Sequence, residues 1–588
     1  MLTNQDGSYQ AVRRVRTWYA LLILVIALFG IRLFYIQIIR YDHYKKAALS
    51  DQLKQYQIPA SRGLIEAYDG NGSVVPIVLN EQLYTLYADP TFIKHPDKVA
   101  DDVATIVGGK SSDYLDGLKA KNTRYSILAK RLTKAQQAKI TALKYAGLGI
   151  QEQDYRTYPQ GSLASQLLGF VNNDGKGTYG LEQGLDGQLK GTPGQLRAIT
   201  DINGVPLAAS KGNIETQPQA GNNVVLTLDL GMQQQLENIL ADGTQKDKAE
   251  SASALIIDPN TGSIKAMANY PTYDPSRYQD VTDASVFNNA AVSKPIEVGS
   301  IMKTLTTTAA LNLKVINANT TYYDPSHWLV DGFNITNIEE DGGAGTRNIA
   351  DILNLSLNTG ATWELMQMGG GEINQKARDT WHDYMVNHYR FGKQTGIEQG
   401  YEATGYVPNA EENGAGIDLT YANTAFGQAM TATPLQMAAA ISAVLNGGTY
   451  YQPHLVDKTI DASGKTTSVK PKVLERNAVS PSVGQDLVPL MQYVVDHHAI
   501  VPAFDQSKYI VGGKTGTAQI AKQGGGYRDD VFNGTYLGFV GGDKVQYVIC
   551  VFVDKPHVAG YAGSGAAQPI FARLAHMLID NSYVTPKN

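Results

Sequence analysis

The sequence predicts an α+β protein with a single transmembrane helix near its N-terminus. Two observations lead to this fold class. A long apolar run lies close to the start of the 588-residue chain. Farther along, short apolar strands occur at both ends of the C-terminal part, with helical segments between them. Strands that are distant in sequence are therefore expected to meet in one sheet with helices packed against it.

Composition places the chain among ordinary folded proteins. Apolar residues make up 43% of it and charged residues 18%, which suits packed cores in about two to four domains. The net charge of −5 leaves no basic surplus, so nucleic-acid binding is not expected. Cys550 is the only cysteine, which excludes an intramolecular disulfide, zinc fingers, CxxC redox centres and cysteine-ligated clusters.

The first element is a transmembrane anchor over residues 18–39. This segment is apolar except for Arg32 and Gln37, and as a helix it spans about 33 Å, the thickness of a bilayer core. A cleaved signal peptide is the alternative, but its apolar core is shorter, about 7–15 residues. Residues 1–17 are expected to form a short cytoplasmic head, with the bulk of a single-pass protein outside the cell membrane.

Residues 40–222 are predicted to form a mixed α/β domain. Residues 41–54 have the spacing of an amphipathic helix. A second helix is expected over 134–143. Turn clusters rich in Gly, Asn and Asp, such as 172–177, separate the shorter elements.

Residues 223–588 are predicted to form an α+β domain of their own. A strand and a helix open it, a hairpin follows, and strands return near the C-terminus before a last helix. The expected strands are 224–229, 254–258, 263–268, 509–512, 535–540 and 546–553, and the expected helices include 232–240 and 567–579.

Ser300 and Lys303 are the first residues that carry chemistry. If a helix opens at Gly299-Ser300, positions three apart share one face, and the lysine amine lies beside the serine hydroxyl. A lysine whose pKa is lowered by burial can act as the base that activates a serine nucleophile. This spacing alone is expected about once or twice by chance in a chain of this length.

Two further motifs follow in order. Ser356 and Asn358 offer a hydroxyl to relay a proton and an amide to hold a lysine, although a helix cap and a turn are the alternative. Lys514-Thr515-Gly516-Thr517 is interpreted as an exposed strand that can pair with an extended peptide and bind its carboxylate. Each motif is weak alone, but the ordered trio is a strong signal.

With this trio the chain resembles the class B penicillin-binding proteins, monofunctional D,D-transpeptidases of bacterial cell-wall synthesis. The resemblance includes 256–262 before the nucleophile, and Arg62-Gly63 and Gly180-Leu181-Glu182 in the N-terminal part. It implies a pedestal domain at 40–222. It also implies a transpeptidase domain at 223–588, with an antiparallel sheet and flanking helices as in serine β-lactamases. The chain departs from the family pattern at three positions, which are Ala67, Val298 and Leu357.

The resemblance also implies a reaction and a role for each site residue. Ser300 would attack the penultimate D-alanine of a stem pentapeptide, and an amine of a neighbouring stem peptide would then take the acyl group. Lys303 would be the general base, Ser356 the proton relay, and Asn358 a support for Lys303 and the substrate amide. The backbone N–H groups of Ser300 and Thr517 would form the oxyanion hole. The residues that would bind the substrate carboxylate are Lys514, Thr515, Gly516 and Thr517.

Neither a cofactor nor a metal is expected. His497 and His498 lack the spacing of metal ligands, so they are expected at the surface. The implied partners are stem peptides, β-lactams, other wall-synthesis proteins and a multi-pass membrane glycosyltransferase of the FtsW/RodA type. The Ser-x-Asn motif favours a septal, division role over elongation.

Three alternatives are weighed at this point, and the first two remain open. A D,D-carboxypeptidase or a β-lactamase-like hydrolase uses the same trio but passes the acyl group to water. A catalytically weak scaffold would only recruit other wall-synthesis proteins. A β-lactam sensor would need a cytoplasmic output domain, which residues 1–17 are too short to supply.

Overall fold

The structure is a computed structural model that describes residues 6–44, 53–58, 60–121, 123–199, 214–337, 343–411, 414, 416–498, 500, 502–521 and 526–588. These residues belong to two compact units. One unit contains residues 1–61 and 191–220, and the other contains residues 62–190 and 221–588.

Helices and strands are interspersed along the described residues. The strands are β1 Leu53–Ile58, β2 Ile65–Tyr68, β3 Val74–Ala88, β4 Ser126–Leu132, β5 Leu148–Thr157, β6 Phe170–Val171, β7 Gly177–Thr178, β8 Gly194–Ile199, β9 Ile214–Thr216, β10 Asn223–Asp229, β11 Ser251–Ile257, β12 Ile264–Tyr270, β13 Thr321–Asp324, β14 His327–Val330, β15 Phe333–Thr336, β16 Gly345–Asn348, β17 Thr449–Tyr451, β18 Val456–Ile460, β19 Thr466–Ser468, β20 Val473–Arg476, β21 Ile510–Ala521, β22 Tyr527–Gly541 and β23 Val545–Asp554. The α-helices are α1 Asp6–Phe34, α2 Pro96–Val107, α3 Ser112–Lys119, α4 Lys134–Ala142, α5 Ser165–Leu168, α6 Gly180–Gly184, α7 Asp186–Leu189, α8 Leu230–Lys246, α9 Ala290–Ser293, α10 Lys303–Asn312, α11 Ile349–Asn354, α12 Asn358–Gly369, α13 Gln375–Asp383, α14 Ile417–Ala425, α15 Pro434–Leu445, α16 Pro481–His497 and α17 Gln568–Asp580.

The apolar N-terminal segment is helical, as the sequence predicts. Helix α1 runs directly into a π-helical turn at Tyr35–Ile39. The continuous helical segment Arg13–Ile39 is long and apolar enough to cross a membrane. Its most apolar stretch is not buried anywhere inside the protein. An apolar helix that covers none of its surface with protein needs another apolar environment, which suits a membrane anchor.

The helix expected over 41–54 is only partly right. Residues 41–44 are helical, whereas Leu53–Ile58 forms β1, which pairs antiparallel with β8. Strand β9 extends this small sheet on the other side of β8. The part of this prediction that concerns residues 45–52 lies outside the described residues. The error arises because β1 is specified by a partner about 140 residues away, which local spacing does not reveal.

The larger unit contains a sheet with strands from both predicted domains. Its order is β19-β18-β10-β2-β3-β4, and β5 pairs with β3. Strand β10 pairs in parallel with β2 and antiparallel with β18. The boundary predicted at 222/223 therefore falls just before a strand that shares a sheet with residues 65–88.

A buried network of charged side chains lies in the N-terminal part of the same unit. The Glu182 carboxylate lies 2.5 Å from the guanidinium of Arg62 and 2.7 Å from that of Arg156. Arg62 also lies 2.7 Å from Asp186. Both arginine side chains and Glu182 are more than nine-tenths buried. This four-residue group is called the pedestal network below.

The predicted sheet of distant strands is confirmed. Five strands pair in the order β12-β11-β23-β22-β21, and every pair is antiparallel. Helices α8 and α17 cover one face through residues such as Leu236 and Leu574. Helix α15, which is buried along nearly its whole length, packs against the other side. Within the described residues β21 is an edge strand of this sheet, and it borders the site described next.

Candidate active site

Ser300 lies in a tight turn that glycine allows to approach β21. The 3₁₀ turn Gly299–Met302 leads directly into α10. Gly299 has φ +63°, and a Cβ atom there would lie 3.0 Å from the Thr517 carbonyl oxygen. A side chain at position 299 would therefore be both strained and crowded. The turn is also held by Gly299 N–H, which donates to the Gly427 carbonyl at 3.0 Å.

Lys303 connects the first two motifs from a fully buried position. Its Nζ lies 2.9 Å from Ser300 Oγ and 2.8 Å from Asn358 Oδ1, and it donates to the Ser356 carbonyl at 2.5 Å. Its relative exposure is 0%. The structure brings the Ser300 hydroxyl and the Lys303 amine together, as their spacing predicts, although Ser300 lies in the 3₁₀ turn that precedes α10.

Asn358 opens α12, and Ser356 lies in the turn just before it. Ser356 has φ +57°, an uncommon backbone conformation for a residue with a side chain. Its Oγ lies 3.2 Å from Lys303 Nζ and 3.0 Å from Lys514 Nζ, so this hydroxyl bridges the two lysines. Asn358 is the first residue of α12, and its Nδ2 donates to the Thr336 carbonyl at 3.0 Å.

Lys514 differs from the sequence expectation. The third motif lies on the edge strand β21, but Lys514 is fully buried rather than exposed. Its Nζ donates to Ser356 Oγ and, at 3.0 Å, to the Thr515 carbonyl. Side chains alternate between the two faces of a strand, so Lys514 lies on a buried face while its neighbour Thr515 is partly exposed.

The rest of the third motif is held close to the nucleophile turn. A Cβ at Gly516 would lie 2.2 Å from Thr535 Oγ1 and 2.9 Å from the Val298 carbonyl. Thr535 Oγ1 itself donates to that carbonyl at 2.9 Å. Thr517 Oγ1 accepts the Gly563 backbone N–H at 3.0 Å. Glycine at 516 therefore lets β21 lie directly on the segment that carries Ser300.

Burial makes both lysines weaker bases than free lysine. Desolvation, with a smaller contribution from the charge of Lys514, lowers the pKa of Lys303 well below its ordinary value. Desolvation lowers the pKa of Lys514 to about 7. Among the described residues, no carboxylate oxygen lies within 4.0 Å of either lysine nitrogen. Neutral oxygens therefore hold both amines, and both lose a proton more readily than a free lysine.

The three departures from the family pattern are accommodated by packing. Val298 and Leu357 are fully buried, and the Val298 carbonyl keeps its bond from Thr535. Ala67 is also fully buried, in β2 opposite Val75.

Sequence reasoning missed Glu364 and Thr307 and wrongly placed His498 at the surface. Glu364 is fully buried and accepts hydrogen bonds from Thr307 Oγ1 at 2.8 and 3.1 Å. His497 is exposed as expected, but His498 is half-buried, with Nε2 at 3.2 Å from the Asn354 carbonyl. Desolvation lowers the pKa of His498, and the charge of Lys514 contributes. Helical phase alone indicates the burial of Glu364, but nothing in the sequence indicates its contact with Thr307.

The fold and the site together define a class of protein. A serine beside a buried lysine at the start of a helix, under the edge of an antiparallel sheet, is the arrangement of a serine acyltransferase that uses lysine as its base. The family model for the penicillin binding protein transpeptidase domain matches residues 252–576, more than half of the chain. The chain belongs to this family. The model for the penicillin-binding protein dimerisation domain matches residues 57–226.

Individual relatives agree with this assignment. Stage V sporulation protein D of Bacillus subtilis is 29% identical over 98% of this chain and 87% of its own length. A peptidoglycan D,D-transpeptidase FtsI homolog of Mesostigma viride is 26% identical over 94% of this chain and 93% of its own. The crystal structure of penicillin binding protein 3 from Mycobacterium tuberculosis, complexed with aztreonam, covers 90% of this chain and 98% of its own. It is 24% identical with a TM-score of 0.66, which shows the same fold.

Proposed function

We propose that this protein is a membrane-anchored peptidoglycan D,D-transpeptidase that cross-links stem peptides through an acyl-enzyme on Ser300. One observation carries the proposal: Ser300 Oγ lies 2.9 Å from the Nζ of a fully buried lysine. Buried without a carboxylate partner, Lys303 is able to accept the serine proton. The names of the relatives supply the substrate class.

In the acylation step Ser300 Oγ attacks the carbonyl of the penultimate D-alanine. The Oγ–H proton moves to Lys303 Nζ as the C–O bond forms. The C–N bond to the last D-alanine then breaks, and its amine takes a proton. Ser356 is suited to pass that proton, because its Oγ lies within 3.2 Å of Lys303 Nζ and 3.0 Å of Lys514 Nζ. Asn358 holds Lys303 in place through a bond of 2.8 Å.

In this proposal β21 binds the substrate peptide and helps to stabilise the oxyanion. Lys514, Thr515, Gly516 and Thr517 bind the terminal carboxylate, and the strand edge pairs with the extended peptide. The backbone N–H groups of Ser300 and Thr517 form the oxyanion hole. The close approach of the Gly299 turn to Thr517 supports this pairing of amides. β-Lactams occupy the same site as acylating analogues of the peptide.

The domains have separate tasks in this proposal. Residues 18–39 anchor the chain, residues 1–17 face the cytoplasm, and the pedestal at 40–222 presents the transpeptidase domain at 223–588 to the wall. A transpeptidase without a polymerase of its own needs a glycosyltransferase partner, and a multi-pass protein of the FtsW/RodA type fits an anchored chain. Arg32 and Gln37 are the polar residues of the anchor available to such a partner. The Ser-x-Asn motif favours a septal role.

The test is the fate of the acyl group on a stem-pentapeptide substrate. Full-length protein in detergent is incubated with pentapeptide-bearing glycan strands, and free D-alanine and cross-linked dimers are measured by mass spectrometry. The expected result is dimers together with D-alanine, and neither with Ser300→Ala. D-alanine without dimers would indicate a carboxypeptidase and overturn the proposal. No turnover by a folded wild-type protein would favour the scaffold.

A further inference from the structure

Two arginines meet at one tyrosine near the end of the apolar N-terminal helix. The guanidinium carbon of Arg32 lies 5.7 Å from the centroid of the Tyr35 ring, and that of Arg40 lies 5.8 Å from the same centroid. Arg40 Nε also donates to Tyr35 Oη at 3.0 Å. This group of three residues is called the arginine–tyrosine cluster below.

The π-helical turn at Tyr35–Ile39 is the reason why Arg40 reaches this ring. In an α-helix, residues five apart point about 140° away from each other around the axis. Here the Arg40 N–H donates to the Tyr35 carbonyl at 2.8 Å, an i→i+5 bond that brings Arg40 back above Tyr35. Arg32, one turn before Tyr35, already shares its face. The π turn therefore aligns the cluster on one side of the helix, and such turns are frequent at functional sites.

The described part of the chain does not neutralise the two charges of the cluster. Both arginines are exposed on the helix surface. Among the described residues, no carboxylate oxygen lies within 4.0 Å of either guanidinium group. A guanidinium has several N–H donors, and the bond to Tyr35 uses only one of those on Arg40. The cluster therefore presents two positive charges with donors left over for an anion.

The cluster lies where a bilayer changes from hydrocarbon to headgroups. The apolar helical segment Arg13–Ile39 ends about 6 Å beyond Tyr35 along the helix axis. Arginine and tyrosine are both favoured at this depth, because each combines an apolar body with a polar tip. A positive charge held there is stabilised by an anion at the same depth. The anions that a bilayer itself supplies at that depth are the phosphates of its lipids.

The surroundings of the cluster match a phospholipid in both of its parts. The planar fork of a guanidinium group pairs with two oxygens of a phosphate. The neighbouring side chains Phe34, Ile38 and Ile39 are apolar and more than half exposed, which suits contact with acyl chains. The most apolar stretch of this helix is not covered by any part of the protein, so lipid has free access to it.

We propose that Arg32, Tyr35 and Arg40 bind the phosphate of an anionic phospholipid in the leaflet at the C-terminal end of the anchor. The two guanidinium groups share one headgroup, and Tyr35 positions Arg40. In the proposed topology this is the outer leaflet of the cell membrane. The bound lipid sets the depth at which the anchor leaves the membrane. The inference goes beyond the proposed function, since it requires the membrane anchor but not the acyl-enzyme on Ser300.

The test is lipid binding by the purified full-length protein in detergent, measured by native mass spectrometry. The protein is titrated with phosphatidylglycerol and, separately, with a glycosyl diacylglycerol that contains no phosphate. One phosphatidylglycerol should bind about tenfold or more tightly than the glycolipid, because two arginines act on its phosphate. Soluble glycerol phosphate is then added as a competitor. It should not displace the lipid, because it lacks the acyl chains.

Single and double variants show whether the two arginines act on one phosphate. Arg32→Gln and Arg40→Gln should each weaken phosphatidylglycerol binding by about fivefold. The double variant should be weaker by less than the product of the two factors, because residues that share one partner are coupled. Arg13→Gln is the matched control, since Arg13 is an exposed arginine near the other end of the same segment. It should leave the affinity of this lipid unchanged.

Tyr35→Phe separates positioning from charge. This variant keeps the ring but removes the hydroxyl that accepts the Arg40 Nε–H. It should weaken phosphatidylglycerol binding by a smaller factor than Arg40→Gln does. In the Arg40→Gln background it should have no further effect, because there is no guanidinium left at position 40 to position.

The possible failures are distinguishable. Labelling by a fluorescent penicillin should be equal in all variants, which shows that they are folded. Equal lipid binding by the wild type and the double variant would overturn the inference, as would fully multiplicative effects of the two arginines, which indicate independent flanking charges. Displacement by glycerol phosphate would overturn it in favour of a site for free phosphate. No preference for phosphatidylglycerol over the glycolipid would overturn it and favour a carboxylate of a protein partner as the occupant.

Discussion

The pedestal network and the active site are both buried clusters of charged side chains, but they differ in how charge is balanced. In the pedestal network two arginines face Glu182 and Asp186 at 2.5–2.7 Å. In the active site, two buried lysines face hydroxyl, amide and carbonyl oxygens. Hydrogen bonds hold both clusters, although Arg156 Nη2 in the first has no partner among the described residues. Only the first cluster is balanced in charge.

This difference separates a structural cluster from a reactive one. A buried ion keeps its charge when an opposite charge lies beside it, and gives the charge up when desolvation is unopposed. Accordingly the pKa of Lys514 falls, by desolvation, to about 7. The active site therefore contains weak bases whose proton is easily moved, at the expense of stability. The pedestal network, by contrast, holds together residues that are far apart in sequence.

Lys303→Met is expected to have the largest effect on activity. Acylation by penicillin should slow by about 10²–10⁴-fold, because the general base is lost. The free energy of unfolding should fall by no more than about 1 kcal/mol, since a costly buried amine is removed along with its hydrogen bonds. Stopped-flow labelling and urea unfolding measure the two quantities. A large loss of stability with little loss of rate would show that the lysine is structural.

Glu182→Gln tests the pedestal network, and it should lower stability without slowing acylation. Loss of the shared carboxylate leaves Arg62 and Arg156 buried without their main partner. The free energy of unfolding should fall by about 3–5 kcal/mol. The acylation rate per folded molecule should stay at the wild-type value. The exposed pair Lys119–Asp97 provides the control, because Lys119→Met should change stability by less than about 1 kcal/mol.

The smallest predicted effect is on how stability changes with pH. The pKa of Lys514 is about 7 in the folded protein, lowered by desolvation from the ordinary 10.5. Between these values the unfolded chain binds a proton that the folded protein does not. The stability of the wild type should therefore rise with pH relative to Lys514→Met, by at most about 1.4 kcal/mol per pH unit. Urea unfolding at pH 7, 8 and 9 measures this slope.

Equal slopes in the two proteins would mean that Lys514 keeps its proton. The contrast with the pedestal network would then fail, because both clusters would hold permanent charges. A slope of the opposite sign would require an anion beside Lys514.

The sequence predicts the site better than its surroundings. The trio identifies Ser300, Lys303 and Lys514, because lysine and serine at fixed spacing are needed by the chemistry itself. The burial of Lys514 and the contact between Glu364 and Thr307 could not be predicted in this way. They depend on how β21, α10 and α12 pack together, and this packing brings together residues about 50 to 200 positions apart.

In the fold too, elements set by local pattern could be predicted, whereas elements set by distant partners could not. The hairpin at β11–β12 and the helix at α4 follow from local pattern, and both occur where predicted. The segment at Leu53–Ile58 has a helical pattern in part but forms a strand, because pairing with Gly194–Ile199 outweighs local propensity. Strand β10 similarly joins a sheet that its position in sequence does not reveal.

The central claim is that Ser300 forms the acyl-enzyme, and covalent labelling tests it most directly. Purified full-length protein is incubated with a fluorescent penicillin, digested, and mapped by mass spectrometry beside a Ser300→Ala variant of equal thermal stability. The account predicts one stable adduct, on the peptide that contains Ser300, and no adduct in the variant. An adduct on another residue, or equal labelling of Ser300→Ala, would contradict it.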